Sequence, residues 1–281
     1  MRFPFFRFIR TFAGVRRFFL HMAYNGRSFC GWQVQPGVPS VQGAVEQALA
    51  VLFKTPLRLT GAGRTDTGVH AVSYYAHFDV AEDVWASAVA RGEKAAGAVL
   101  TEVYAHWVYQ LNALVGPDIA LYRLFEVPSD LHARFSAVER TYHYYIHLIK
   151  NPFIAESSHF VRQSVDVEAM RAAAALLVGQ RDFSAFEKLH GADSSHICDL
   201  RRAEIQALGN GRYCFVFSAD RFLRNMVRAM VGTLLAVGQG RFAVSDVPAI
   251  LDGRDRGQAG ESVPGHALFL QEVRYPDWYN N

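Results

Sequence analysis

The sequence predicts an α+β protein of two ferredoxin-like halves. Each half is a β-α-β-β-α-β unit whose antiparallel sheet carries helices on one face. Three observations predict this. The strand and helix signals run through that order twice along 281 residues, a length above the usual single domain. Helical segments place apolar residues at i, i+3, i+4 and i+7, whereas strand segments alternate. Hydrophobic residues make up 51% and charged residues 20%, the composition of a globular protein, which excludes extensive disorder and a collagen-like or disulfide scaffold. The expected division is a basic, aromatic, flexible extension over 1–16, an N-terminal half over 17–130 and a C-terminal half over 131–281. A basic cleft is expected between the halves.

The first half begins with an aromatic-rich strand over 17–24, closed by the turn pair Asn25-Gly26. Ser40 is a helix N-cap, and Val41, Ala44, Val45, Ala48, Leu49 and Leu52 form one apolar stripe that Pro56 terminates. A short strand fits 57–60, a longer one 72–78, a helix 104–114 and a strand 119–127. The Ala-rich stretch 84–103 reads as an inserted helix or loop. In the second half, 140–149 alternates as a strand, with Tyr142, Tyr144, Ile146 and Leu148 on one face. Asp166 caps a helix running to Val178 and stopped by Gly179. Strands over 200–208 and 212–219 flank the turn Gly209-Asn210-Gly211. A helix over 221–237 and a strand over 267–275 complete the pattern.

Net charge is only +3, but its distribution is uneven. Residues 1–45 hold Arg2, Arg7, Arg10, Arg16, Arg17 and Arg27 and no acid, while the rest of the chain has a slight acidic excess. A basic region on a weakly acidic body points to a phosphate partner. Cys30, Cys198 and Cys214 are far apart and show no CxxC spacing, so neither a disulfide framework nor a thiolate metal site is expected. A reducing, cytoplasmic setting follows. Arginines interrupt the apolar start every few residues, so no signal-peptide core forms, and nothing later reaches the length of a membrane span.

The segment 61–71, GAGRTDTGVHA, carries the chemistry. Its glycines allow sharp turns and close approach of a ligand, and Asp66 sits between Thr65 and Thr67, two residues after Arg64. A carboxylate on a short loop between strands is held rigidly and presented outward, as a nucleophile requires. The other reading of these residues is an Asx-turn beside a surface arginine. Asp66-Thr67-Gly68 also matches the Asp-Thr-Gly of aspartic proteases. That chemistry needs two carboxylates sharing a proton, and the chain has no second such motif. On the predicted helix 221–237, Phe222, Leu223, Met226, Val227, Met230, Val231 and Leu234 share one face, and Arg221, Arg224 and Arg228 the other. This is either a solvated arginine stripe or a set in which Arg228 is partly buried and needs a carboxylate partner, for which Asp66 is the candidate.

GRTDTGVHA, preceded by YNGRSFCGWQVQP and VQGAVEQAL, strongly resembles the TruA family of tRNA pseudouridine synthases. The likeness continues through LNALVGPDI, HARFSAVERTYHYYI, RDFSAFE, FLRNMVRAMVGTLLAVGQG and VPGHALFLQEVRY, so it covers nearly the whole chain. The resemblance implies an isomerase without cofactor or metal. It would detach uracil from its ribose, rotate it and rejoin it through carbon 5, at nucleotides 38, 39 and 40 of the tRNA anticodon stem-loop. The family's invariant aspartate falls on Asp66, as nucleophile toward the sugar C1′ or as the group assisting glycal formation. Its active-site tyrosine falls on Tyr142, which would pack on the base and could take the proton from carbon 5. Its aspartate-pairing arginine falls on Arg228. Arg64 would meet phosphate or help displace the base, which must leave its stack. Arg27, Phe29 and Trp32 on the first loop, with Arg221 and Arg224, are candidate RNA contacts. The family also implies a homodimer with no membrane association.

Three features depart from the family pattern: Asp220-Arg221 before the Phe-Leu pair, His266-Ala267 where a small residue and Gly are common, and the long segment 84–103. The competing function is a noncatalytic RNA-binding module on the same scaffold, for which Asp66, Tyr142 and Arg228 have no use.

Overall fold

The computed structural model describes residues 14–96, 99–188 and 195–276. Most of the expected N-terminal extension, part of the stretch 84–103 and residues 277–281 lie outside the described residues. The chain is mixed α+β, with six α-helices and mostly antiparallel strands among the described residues. It divides into two compact units, and the division is not a single cut. The first comprises 1–24, 33–63 and 74–136; the second comprises 25–32, 64–73 and 137–281. Two short segments from early in the sequence thus belong with the C-terminal unit.

In the first unit, β1 (Val15–Tyr24) pairs antiparallel with β4 (Ile119–Val127). The long strand β3 (His70–Ala81) lies on the other side of β1, and the two-residue β2 (Thr60–Gly61) pairs with β3, giving the order β4-β1-β3-β2. Helix α1 (Val41–Phe53) starts where Ser40 Oγ accepts the Gly43 N–H at 3.2 Å. It ends on Lys54 in the left-handed region, before Pro56. The Ala-rich stretch 84–103 is helical over most of its described length, in α2 (Glu82–Ala96) and the start of α3 (Leu100–Leu114). The core is aromatic: Phe18 stacks on Phe78 at 5.8 Å, and Phe53 meets Trp107 edge-on at 5.2 Å.

The N-terminal arginines are partly neutralised here. Arg16, expected to be in the flexible extension, lies in β1. Its Nε is 2.7 Å from Glu82, its Nη1 is 3.0 Å from Glu126, and its guanidinium covers the Trp85 ring at 3.7 Å. Arg17 pairs with Asp79 at 2.7 Å. The acids that answer these arginines come from distant positions, which is why the local charge count overstates the positive field.

In the second unit, β5 (Glu139–His147) runs antiparallel between β10 (Leu268–Arg274) and β9 (Arg212–Ala219). Next come β8 (Ile197–Gly209) and β7 (Gly179–Asp182), both in antiparallel pairing. The turn Gly209-Asn210-Gly211 has all three residues at positive φ, so β8 reverses tightly into β9. The first residues of β3 pair parallel with β10, and the two-residue β6 (His159–Phe160) pairs with β5. Helix α4 (Val167–Ala175) is capped by Asp166, which accepts the Ala169 N–H at 3.0 Å; it ends at Ala175 rather than Val178. Helix α5 (Met226–Gly238) and the unanticipated α6 (Asp246–Gly253) complete the unit. Its core gathers Tyr144, Ile146, Met170, Phe183, Phe186, Phe215, Phe217 and most of α5.

The expected helix 221–237 is corrected at its start. Arg221 to Asn225 precede α5, and Asn225 sits at φ 69°, a left-handed conformation that prevents the helix from beginning earlier. Arg221 and Arg224 are therefore not on a helical stripe with Arg228. Nor is α5 amphipathic, because 12 of its 13 residues are buried and Arg228 is the exception.

Candidate active site

All nine residues singled out from the sequence fall in the second unit. The Asp66 loop is shaped by its own backbone. The Val69 N–H donates to Asp66 O at 3.2 Å, closing a four-residue turn whose third residue is Gly68 at φ 77°. That geometry is a type II turn, and a Cβ at its third position is strained. The neighbouring segment 25–32 clamps the loop on one side. The Trp32 N–H donates to Thr65 O at 3.1 Å, and the Gly68 N–H to Phe29 O at 3.4 Å. Gly31, at φ 94°, makes the close approach possible, since a Cβ there would stand 2.5 Å from Thr65 O.

On the other side runs a strap, residues 260–267, that leads into β10. The Arg228 Nε donates to Val263 O at 2.7 Å, and the Val263 N–H donates back to Arg228 O at 3.3 Å. The Tyr144 hydroxyl, from β5, donates to Pro264 O at 3.0 Å. His70, at the start of β3, joins both sides. Its Nδ1 accepts the Gly26 N–H at 3.2 Å, which leaves Nε2–H to donate to His266 O at 2.9 Å. Burial lowers the His70 pKa, so the neutral ring that this pair of bonds needs is the favoured one. Sequence reading misses the strap and His70. The strap acts through backbone carbonyls at Val263, Pro264 and His266, which no side-chain pattern advertises. The visible signal is His70 itself, inside the most distinctive motif.

The carboxylate and the arginine meet at the centre. Arg228 Nη1 donates to Asp66 Oδ2 at 3.1 Å, with both side chains about a quarter exposed. The fork of Arg228 is divided: Nε is held by backbone and Nη1 by Asp66, so the guanidinium stays in place if the carboxylate turns to a ligand. Arg224, more than half exposed, brings Nε within 3.9 Å of Asp66 Oδ1. Tyr142, half-buried on β5, packs edge-on against Phe222 at 5.1 Å. Burial pushes its phenol up to about 12; Arg140 opposes this and Asp66 adds to it. At neutral pH the group is therefore a phenol, able to donate a hydrogen bond. It accepts a proton only after losing its own.

The remaining candidates are scattered in character. Arg64 is exposed beside the loop. Arg27 is exposed and pairs with Glu156, itself exposed. Phe29 is half-buried. Arg221 is half-buried, and its backbone N–H donates to Asp220 Oδ1 at 2.7 Å. Trp32 is only 3% exposed, so its indole belongs to the core and is not presented to a ligand. Trp32 serves the loop through its backbone, which pins Thr65. Among the described residues no three His, Cys, Asp or Glu side chains gather as metal ligands, and no helix is long and apolar enough to cross a membrane.

A family model described as tRNA pseudouridine synthase matches residues 173–276, which include α5 and the strap. The tRNA pseudouridine synthase A of Porphyromonas gingivalis is 44% identical over 93% of this chain and 98% of that protein. The chain belongs to the tRNA pseudouridine synthase A family. The enzymes of that name from Parabacteroides distasonis and Bacteroides thetaiotaomicron are 43% and 42% identical, each over 94% of this chain and more than nine-tenths of their own length. The synthase family thus spans both compact units, including every residue of the Asp66 cluster.

Proposed function

We propose that this chain isomerises uridine to pseudouridine at positions 38, 39 and 40 of the tRNA anticodon stem-loop, with Asp66 as the reacting carboxylate. Family membership makes it an isomerase acting on tRNA uridines. The observation that carries the finer reading is the Asp66–Arg228 pair: a partly exposed carboxylate fixed by one prong of a divided arginine.

In the reaction the N1–C1′ bond breaks and the C5–C1′ bond forms, with no net change in composition or oxidation state. In one route an Asp66 oxygen bonds to C1′ as uracil leaves with the glycosidic electron pair. Uracil then rotates, C5 displaces the carboxylate, the C5 proton is lost to a base, and N1 takes up a proton. In the other route the carboxylate removes the C2′ proton as uracil leaves, giving a glycal; the rotated uracil then bonds through C5 to C1′ as the proton returns to C2′, and the C5 proton is lost while N1 gains one. Both need an ionised Asp66 next to a fixed positive charge, which Arg228 supplies. Tyr142 packs on the uracil and hydrogen-bonds it as a phenol. Arg64, Arg27 and Arg224 face the RNA backbone, and Phe29 supplies an aromatic edge.

Each compact unit is a ferredoxin-like half in this reading. The order β4-β1-β3-β2 in the first and, with the short β6 and β7 set aside, β10-β5-β9-β8 in the second support it, because both sets of four follow the pattern 4-1-3-2 in chain order. The family resemblance also implies a homodimer. Three free cysteines, two of them buried, suit a reducing cytoplasm. The noncatalytic RNA-binding reading is not favoured, since a pure binder gains nothing from a carboxylate among phosphate-facing arginines.

The experiment is direct. The protein is incubated with an anticodon stem-loop carrying uridine at 38, 39 or 40, and with otherwise identical loops lacking each. Pseudouridine at those positions is expected; its absence at all three, or formation only elsewhere in tRNA, overturns the site assignment.

A further inference from the structure

We propose that Arg256 and Ser262, linked through Asn225 to Arg224, form a binding site for a backbone phosphate of the RNA. The site would lie next to the Asp66 cluster, and the inference rests on the tRNA-modifying reading above.

Arg256 lies between α6 and the strap and is half-buried. Its Nη2 donates to Ser262 Oγ at 2.8 Å and its Nη1 to Ala259 O at 3.4 Å, and among the described residues no carboxylate pairs with it. The adjacent Asp255 accepts the Gly257 N–H at 2.8 Å. Burial alone moves the Arg256 pKa, and it moves it down, with no neighbouring acid to raise it. A guanidinium taken partly out of water without an anion is unfavourable unless a ligand supplies one.

Ser262 makes the same point independently. Its Oγ accepts from Arg256 Nη2 and, at 2.7 Å, from Asn225 Nδ2. With its lone pairs so occupied, the hydroxyl hydrogen is left to donate. Two donors of this cluster, the Arg256 Nε–H and the Ser262 O–H, are used in no hydrogen bond among the described residues, beside the amide oxygen of Asn225. A cationic donor beside a hydroxyl donor favours a negatively charged acceptor.

Asn225 places the cluster. It sits at φ 69°, directly after Arg224, whose Nε is 3.9 Å from Asp66 Oδ1. The chain of contacts Arg256–Ser262–Asn225 thus ends one residue from the arginine that faces the catalytic carboxylate. A phosphodiester bound there would hold the strand beside the Asp66 cluster.

The test uses the full chain and an anticodon stem-loop RNA, with affinity measured from low to high salt for wild type, Arg256→Gln and Arg256→Lys. Turnover at saturating RNA and thermal midpoints are measured alongside. Arg256→Gln should weaken binding about tenfold at low salt and make the log–log salt slope shallower by about 0.7–0.9, one phosphate contact on single-stranded or duplex RNA. Saturated turnover should change far less than affinity, and Arg256→Lys should recover the slope. An unchanged affinity overturns the proposal, and so does an affinity loss with an unchanged slope, which would mark Arg256 as a structural brace. If wild type binds the stem-loop but forms no pseudouridine, the functional reading fails while the slope comparison still decides the phosphate site.

Discussion

Arg228 Nη1 lies 3.1 Å from Asp66 Oδ2, and the two residues are 162 positions apart in the chain. The pair is assembled by three backbone supports. The 25–32 segment fixes the loop, the strap fixes the arginine, and His70 ties those two together. In the proposed reaction Asp66 would meet uridine with its counter-charge already placed, which is how electrostatic preorganisation lowers a barrier without rearrangement.

Replacing Arg228 with Leu should reduce turnover by about 10²–10³-fold, the scale of losing one preorganised charge contact, while tRNA affinity changes much less. Steady-state kinetics beside equilibrium binding makes the comparison. Equal losses in both would recast Arg228 as a phosphate contact. Arg228→Lys should recover little, because an ammonium on a flexible stem lacks the planar fork whose separate nitrogens hold Val263 O and Asp66.

Gly31→Ala should damage the active loop from outside the motif. The added Cβ would stand 2.5 Å from Thr65 O, and its φ of 94° is one that alanine adopts poorly. A destabilisation of about 1–3 kcal/mol is expected, with a fall in turnover that exceeds any loss of secondary structure. Urea unfolding and turnover on the same preparation check it. Wild-type values for both would mean the clamp from 25–32 is not needed.

Strands 119–127 and 212–219, the caps at Ser40 and Asp166 and the turn at 209–211 are legible in the sequence because they are local events, written in alternation, side-chain oxygens and glycines. Asp66 is legible because its motif is compact. Three things are not. The start of α5 is hidden, because apolar spacing continues through Phe222 and Leu223 and only the backbone of Asn225 breaks it. Trp32 reads as a base-stacking candidate because burial is a tertiary property. The charge asymmetry misleads for the same reason: Glu82, Glu126 and Asp79, far along the chain, neutralise Arg16 and Arg17.

Tyr142 should show no titration in the pH–rate profile between about pH 6 and 9, since its phenol is pushed up to about 12 and stays protonated throughout. Tyr142→Phe keeps the ring that packs on Phe222 and should bind tRNA within a fewfold of wild type, while losing turnover to the extent that the hydroxyl contributes. A basic limb below about pH 9 that vanishes in Tyr142→Phe would instead make the tyrosine a working base at ordinary pH.

His77 gives the first unit a pH dependence of its own. The side chain is 5% exposed, its Nδ1 accepts the Ala133 N–H at 3.1 Å, and burial, aided by Arg17 and His132, lowers its pKa to about 4. The unfolded chain binds this proton near about pH 6.5, so between those values the unfolded state holds more protons. The contribution is therefore fully present above about pH 6.5 and is lost as pH falls toward about 4, by up to about 3 kcal/mol. Urea midpoints of wild type and His77→Asn across that window check the sign. Parallel curves would remove His77 as the cause.

The central claim is that Asp66 performs the chemistry and does not hold the RNA. The measurement is pseudouridine formed per enzyme on anticodon stem-loop RNA by wild type and by Asp66→Asn, with the affinity of both for the same RNA. The amide keeps the size of the side chain and can still meet Arg228 through its oxygen. The account predicts product from wild type, none from Asp66→Asn, and closely similar affinities. Normal turnover by Asp66→Asn would contradict it.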